Sequence, residues 1–486
     1  MKRNDVIALS GLLALFIAAC LAVGSFHPDR SFVAYRYAEN LAAGHGWVYN
    51  PGDAPVEGYG NALWVAKCAM MKAAGLPLPV AAPMLSLFFG MVSLVLLWFV
   101  LRARVSSAAA VITTGFAAVS GPLAAASMSG EGVTLVAALA VAMVWLLDAA
   151  GTRRVTWILA GLVGALLAMC GNPLAVVFPA ALVMRVRMPR GEGTQRSGMI
   201  IAAAVFAVAV TGFHVWRIAT FGSLTPHAPG LVARLASPGE LFAVQPFDMA
   251  PFGWFYVMLF VAGVARTRFA HDRGLPWVAA TTAIVAGVVT LSARDPLPGL
   301  ASSAVVILLL SIPAAGLVDA VAQSVAPRLA RALLALALLL VSLGCAMDAR
   351  VFARHIRESH DLTLQPLGRW MARWQSDGSL LCDAPGAVPY YSGWRTIPVS
   401  ASTTLSEAPD VVMLTSEGMF TAEMDAAQTR VADALTERYR VLAAIRRDWT
   451  RDRAFILYAR NDIPELTDDL MEAFPQGVGT VVRLNR

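Results

Sequence analysis

The sequence predicts a multi-pass α-helical membrane protein of about eleven transmembrane helices, followed by a C-terminal extracytoplasmic α/β domain. Three observations predict it. Of the 486 residues 57% are hydrophobic and only 14% charged, and the mean hydropathy is +0.63, whereas a soluble domain carries about 25% charged residues. Apolar runs approaching the length that crosses a bilayer, about twenty residues, recur along the first 348 positions. From about residue 350 the long apolar runs stop and charges become frequent. The chain therefore divides into a membrane domain, 1–349, whose first long outer loop is 25–81, and a water-soluble domain, 350–486.

Taken in order, the expected spans are 6–24, 82–101, 107–125, 132–148, 156–170, 174–186, 198–216, 251–266, 276–293, 299–319 and 332–348. MKRND before the first apolar run, and IAAC ending at Cys20, look like a signal peptide with a lipoprotein cleavage site. Ten further spans make an uncleaved anchor the better expectation. Segment 61–75, NALWVAKCAMMKAAG, is short and bears two lysines, so it reads as an interfacial or re-entrant helix.

The basic residues set the orientation. One set of connections holds Lys2, Arg3, Arg102, Arg104, Arg153, Arg154, Arg185, Arg187, Arg190, Arg196, Arg266, Arg268, Arg273, Arg328 and Arg331. The alternate set holds Arg30, Arg36, Lys67, Lys72, Arg217, Arg234 and Arg294. Fifteen against seven is a positive-inside bias. It puts the N-terminus in the cytoplasm of a cell with the protein in its plasma (inner) membrane, and it puts loops 25–81 and 217–250 and the soluble domain outside. A net charge of +6 carried by dispersed arginines does not describe a nucleic-acid-binding protein. Cys20, Cys68, Cys170, Cys345 and Cys382 have neither metal-ligand spacing nor a disulfide framework, and read as small apolar core residues.

Polar side chains in a membrane domain are costly and tend to be functional. They collect in three outer places: the loop HPDRSFVAYRYAENLAAGHGWVYNPGDAPVEGYGN (27–61), Glu131 in SMSGEG, and the segment 217–250 with Arg217, His227, Glu240 and Asp248. Three loops on one face could line a cavity at the membrane surface. Asp29 could act there as a general base toward a hydroxyl, or cap a helix starting at Ser31. A divalent cation held by Asp29 with Glu131 is a candidate cofactor, because oxygen ligands suit hard cations. Glu131 could equally satisfy a helix N-terminus. Arg36, Arg217 and His227 could hold a phosphate, or the arginines could snorkel to headgroups. His45, between two glycines, fits a turn or a ligand contact. Arg30, Asn50, Glu57 and Tyr59 complete the candidate binding set.

The stretch DRSFVAYRYAENLAAGHGWVYNPGDAPVEGYGNALW resembles the first outer loop of GT-C membrane glycosyltransferases, in the arabinofuranosyltransferase and lipopolysaccharide-core transferase branch. That loop opens with Asp-Asp, a small residue, an aromatic and a β-branched residue, and continues YRYAxNLxxGHGxx(F/Y)NPG and EGYTNxLW. SMSGEG is similar to the family's Ser-Gly-x-Glu segment, WRIATFGSLTPHA to its W-R-x-x-x-F-G-x-x-x-P-N-T segment, and LLCDAPGAVPYYSGWRTIPVS to the start of its outer domain. The resemblance implies a GT-C-like fold, a polyprenyl-phosphate sugar donor, a glycan or glycolipid acceptor in the cell envelope, and transfer at the outer face of the lipid bilayer. It implies Asp29 as catalytic base and outer-loop residues as ligands of the lipid phosphate. The chain departs from the pattern at three polar places. Arg30 stands at the second Asp, Pro226-His227 at the Pro-Asn, and Gly171-Asn172-Pro173-Leu174 where an Arg-Pro-acid segment is expected. An arginine paired with Asp29 would make it a weaker base. Either the donor differs from the usual one, or the chain is a catalytically degenerate relative that binds lipid-linked glycan or partners an active transferase.

In the soluble domain VVMLTS (411–416) and AFILYAR (454–460) read as strands, and 367–374 and about 422–439 as helices. Trp370, Trp374, Tyr390, Tyr391 and Trp394 could stack on sugars or form core, and Asp383 could be structural or contact an acceptor. No nucleotide-binding glycine motif occurs, which fits a lipid-linked donor.

Overall fold

The computed structural model describes residues 3–59, 61–150, 153–186, 194–223, 298–324, 327–374, 378–399, 408–417, 435, 438–446, 453–462 and 480–482. Two compact units form: Met1–Ser25 with Pro55–Val351, and Phe26–Ala54 with Phe352–Arg486. The outer loop assigned from sequence as one piece, 25–81, is divided at Ala54: its first half packs with the C-terminal residues.

The first unit is helical. Its elements are α1 (Arg3–Val23), α3 (Ala62–Ala73), α4 (Leu78–Arg102), α5 (Ser107–Ala118), α6 (Gly121–Met128), α7 (Val133–Ala149), α8 (Arg154–Met169), α9 (Val177–Val186), α10 (Thr194–Phe221), α11 (Pro298–Ser324) and most of α12 (Pro327–Ile356). Among the described residues, Arg3–Val23, Leu78–Arg102, Arg196–Phe221 and Ala304–Val321 are long and apolar enough to cross a membrane. The expected span 107–125 is instead a pair, α5 and α6, bent by 54°. The break has local causes: Val119 and Ser120 leave helical geometry, and Gly121-Pro122 opens the next helix, where a proline lacks the N–H a continuous helix would need. The expected spans 251–266 and 276–293 lie outside the described residues. Segment 61–75 forms α3, twelve residues or about 18 Å, too short to cross a hydrocarbon layer of about 30 Å.

One end of this unit is tied by charge. Arg102 at the end of α4 meets Asp5 at the start of α1 at 3.1 Å. Arg104 pairs with Asp148 near the end of α7. Arg185, near the end of α9, donates to the Leu147 carbonyl at 3.1 Å, and the Ser106 N–H donates to Asp319 at 3.2 Å. These ends share a side.

The second unit holds α2 (Asp29–Ala42), a π-helical turn (Arg357–Leu364), α13 (Gln365–Trp374), α14 (Ala387–Ser392) and a six-stranded mixed sheet. Its strands are β1 (Ser379–Cys382), β2 (Arg395–Pro398), β3 (Val411–Glu417), β4 (Tyr439–Arg446), β5 (Arg453–Arg460) and β6 (Thr480–Val482), in the order β2-β1-β3-β5-β4-β6. β1 pairs parallel with β2 and β3, while β5 and β4 continue the sheet antiparallel. The helix expected at about 422–439 lies almost wholly outside the described residues. Leu381, Val412, Leu414, Leu435 and Tyr439 form a core against the sheet. Asp383 serves this core's edge: its carboxylate accepts from the Thr415 N–H at 2.6 Å and hydroxyl at 3.0 Å, tying the end of β1 to β3.

Candidate functional site

Asp29 sits in the first turn of α2 with Pro28 as N-cap, and that N-cap makes no side-chain capping bond. The helix thus starts at Asp29, two residues before the expected Ser31, and the carboxylate reaches away from it. The Ala387 N–H donates to Asp29 Oδ1 at 2.7 Å across 358 positions of sequence. This meeting needs glycine at 386, because a Cβ there would overlap the Asp29 carbonyl and carboxyl group. Asp29 is half-buried and Arg30 exposed.

The rest of the loop's first half is anchored to the same C-terminal segment. Arg36, expected to hold a phosphate, is buried and its donors are engaged by the protein. Nε donates to the Tyr49 carbonyl at 2.9 Å, Nη2 to Asn50 Oδ1 at 2.9 Å and to the Trp394 carbonyl at 2.7 Å, and Nη1 to the Pro389 carbonyl. The guanidinium also lies 4.6 Å from the centre of the Tyr49 ring. A cation here offsets the carbonyls of α14 and the turn after it. Asn50 is buried too. It accepts from the Thr396 N–H at 3.0 Å and donates to the Thr396 carbonyl at 3.0 Å, copying a strand pairing. Both residues build the frame around Asp29.

Burial pushes the Tyr49 phenol well above its ordinary value, with the Arg36 charge opposing. Burial, then the nearby Asp383 and Asp29 charges, raises the Cys382 thiol in the same way. Neither is a nucleophile near neutral pH. Tyr390 donates to Glu39 at 3.0 Å, and Tyr391 lies under Arg369 at 4.7 Å. Trp370 and Trp394 are core residues at 7% and 0% exposure, not sugar platforms. The side chain of Trp374 lies outside the described residues. His45 is exposed and ends α2: the His45 N–H donates to the Asn40 carbonyl at 2.9 Å, and Gly44 before it has φ +84°. That is a Schellman ending, so the turn alternative for His45 is the one seen.

In the first unit three of the expected polar places do converge. Nε of Arg217, at the end of α10, donates to Glu57 Oε2 at 2.9 Å, and Nη2 donates to the same oxygen. Arg217 is 0% and Glu57 6% exposed. Tyr59 donates to the Glu131 carbonyl at 3.2 Å, and the Trp64 indole to the Gly130 carbonyl at 3.1 Å. Gly130 and Gly132 bracket Glu131 with φ +71° and +78°, and a Cβ on Gly132 would strike the Trp64 ring. The Gly-Glu-Gly order therefore presents the half-buried Glu131 on a turn only glycine makes readily. Arg217, expected to meet a phosphate, instead serves Glu57 in this structure. His227 lies outside the described residues. Among the described residues no group of three or more His, Cys, Asp or Glu side chains is placed to hold a metal ion. Asp29 and Glu131 fall in different units.

No protein-family model matches the sequence, and no curated protein matches it either. Solved structures do. ArnT from Cupriavidus metallidurans, bound to undecaprenyl phosphate, is 14% identical with TM-score 0.61, over 95% of this chain and 98% of that one. The Archaeoglobus fulgidus oligosaccharyltransferase, tethered to an acceptor peptide, is 12% identical with TM-score 0.56, over 96% of this chain and 75% of that one. The arabinofuranosyltransferase AftD from Mycobacteria is 14% identical with TM-score 0.55, over 96% of this chain and 42% of that one. The protein shares the GT-C-like fold of these three proteins.

Proposed function

We propose that the protein is an integral membrane glycosyltransferase that moves a sugar from a polyprenyl-phosphate donor to a cell-envelope glycan or glycolipid on the extracytoplasmic face. The observation that carries this reading is the likeness in fold, over 95% of this chain and 98% of its own, to an ArnT bound to undecaprenyl phosphate. Asp29 stands at the head of α2 in the loop whose sequence resembles the catalytic loop of that fold. In the proposed reaction Asp29 takes the proton of an acceptor hydroxyl. The hydroxyl oxygen then bonds to the anomeric carbon from the side opposite the phosphate. The bond from that carbon to the phosphate oxygen breaks, the configuration inverts, and polyprenyl phosphate leaves.

The Ala387 contact supplies a clean test, because an amide oxygen can accept from the same N–H. Asp29→Asn keeps the link to α14 and removes the base. The purified protein in lipid nanodiscs, given radiolabelled polyprenyl-phosphate sugars and a membrane glycan extract, should transfer label. Asp29→Asn should lose transfer by the 10²–10⁴-fold typical of a missing general base, with an unchanged melting curve. Transfer that survives in Asp29→Asn would remove Asp29 from catalysis. A rival reading, a relative that only binds lipid-linked glycan, is favoured by Arg30 at the position of the family's second Asp. Retained lipid binding with no transfer from any donor would establish it instead.

A further inference from the structure

The end of α3 and the start of α4 make a feature that the proposed role of Asp29 leaves unexplained. α3 closes in a Schellman motif: the Leu76 N–H donates to the Met71 carbonyl at 3.0 Å, the Gly75 N–H to the Lys72 carbonyl at 2.8 Å, and Gly75 has φ +82°. The motif places Leu76 and Met71 along one apolar groove, which Pro77, Val80, Ala81, Met84, Leu85 and Phe88 complete. The groove is open to its surroundings, with a volume of about 310 Å³. Val80, Met84 and Phe88 recur every fourth residue on one face of α4 and are 56%, 67% and 51% exposed.

Depth gives the groove a direction. α4 has 25 residues, about 37 Å, enough to cross a hydrocarbon core of about 30 Å. Its Leu78 end therefore lies at the surface opposite Arg102, and the groove runs from that surface into the bilayer. At the surface end stands Lys72. The chain has three lysines in all, Lys2, Lys67 and Lys72, and the last two are both on α3. Lys72 adjoins Met71 in the groove wall and is exposed. Lys67 belongs to the other end of the groove: its ammonium is 5.8 Å from the Phe89 ring, beside the lining residue Phe88. No acidic residue occurs from Asn61 to Arg102. A flexible lysine can rise from apolar packing to a headgroup phosphate.

We infer that this groove binds one anionic phospholipid, with an acyl chain along Val80, Met84 and Phe88 and its phosphate at Lys72. The proposal needs only that α4 cross the membrane. Native mass spectrometry of the full-length protein should show a lipid retained from phosphatidylglycerol in about fivefold preference to phosphatidylcholine of the same chains, the gain expected of one lysine near the surface. Lys72→Gln should equalise the two headgroups. Val80→Trp and Met84→Trp, on an exposed face, should expel the lipid while leaving the melting curve within a few degrees. Equal retention of both headgroups by the unaltered protein, or retention unchanged in both tryptophan variants, would overturn the proposal. So would displacement of phosphatidylglycerol by undecaprenyl phosphate that is itself lost in Val80→Trp, which would give the groove to the sugar carrier.

Discussion

At the scale of single residues, the buried ion pair of Glu57 and Arg217 ties the segment after Ala54 to the end of α10. It joins residues 160 positions apart, with exposures of 6% and 0%. Removing one member of such a pair leaves an uncompensated buried charge and costs about 3–5 kcal/mol, whereas replacing both by apolar groups costs little. Glu57→Leu is therefore expected to lower the thermal midpoint strongly in detergent, and Glu57→Leu with Arg217→Met to recover most of the loss. If the single variant melts like the parent, the pair is not a strut. Both residues stood out in sequence as charges in an apolar chain, but their mutual partnership did not. The same holds for Arg36. Its charge suggested a phosphate, but the structure sets its donors on Tyr49, Asn50, Pro389 and Trp394. A guanidinium binds carbonyls and phosphates with the same N–H groups, so residue type alone does not tell the two uses apart.

At the scale of elements, local chemistry was readable wherever one residue acts on its near neighbours. Asn61 caps α3 by accepting from the Trp64 N–H at 2.9 Å, and Ser106 caps α5 by accepting from the Ala109 N–H at 3.3 Å. Gly44 and Gly75 end their helices at φ +84° and +82°. Asp29 lies beyond such reading: a carboxylate at a helix start could cap its own helix, and here it accepts from the Ala387 N–H. Gly386 is the counterpart of that contact. Gly386→Ala forces a Cβ into the Asp29 backbone, and overpacking of this kind costs about 1–3 kcal/mol. It should lower the melting temperature and expose the 26–54 segment to limited proteolysis, while Gly11→Ala, with nothing within 4 Å of its Cβ, should change neither. Equal protease resistance of the two variants would show that the close approach at Gly386 does not hold this segment.

At the scale of the whole molecule, apolar length and the placement of arginine carry the fold. The start of α1 meets the end of α4, and the end of α7 meets Arg104 after α4 and Arg185 near the end of α9. The proposed orientation predicts that His45→Cys, at an exposed position, is labelled by a membrane-impermeant maleimide on intact cells. The four cysteines described are buried, so background labelling should be low. Labelling only after lysis would invert the topology and with it the proposed site of transfer. The mixed sheet lay beyond the pattern of the chain. Alternation and β-branched runs marked the strands β3 and β5, but not that β1 pairs parallel with β2 and β3 while β5 and β4 run antiparallel. The sequence by itself determined a mostly helical chain with apolar helices of membrane-crossing length and a polar loop that holds Asp29, because hydropathy acts over a few residues. Tertiary structure alone decided that this loop divides at Ala54, that Asp29 meets Ala387, and that Arg217 answers Glu57. Those outcomes depend on which distant groups share a low-dielectric interior, where each buried charge or N–H must find a partner.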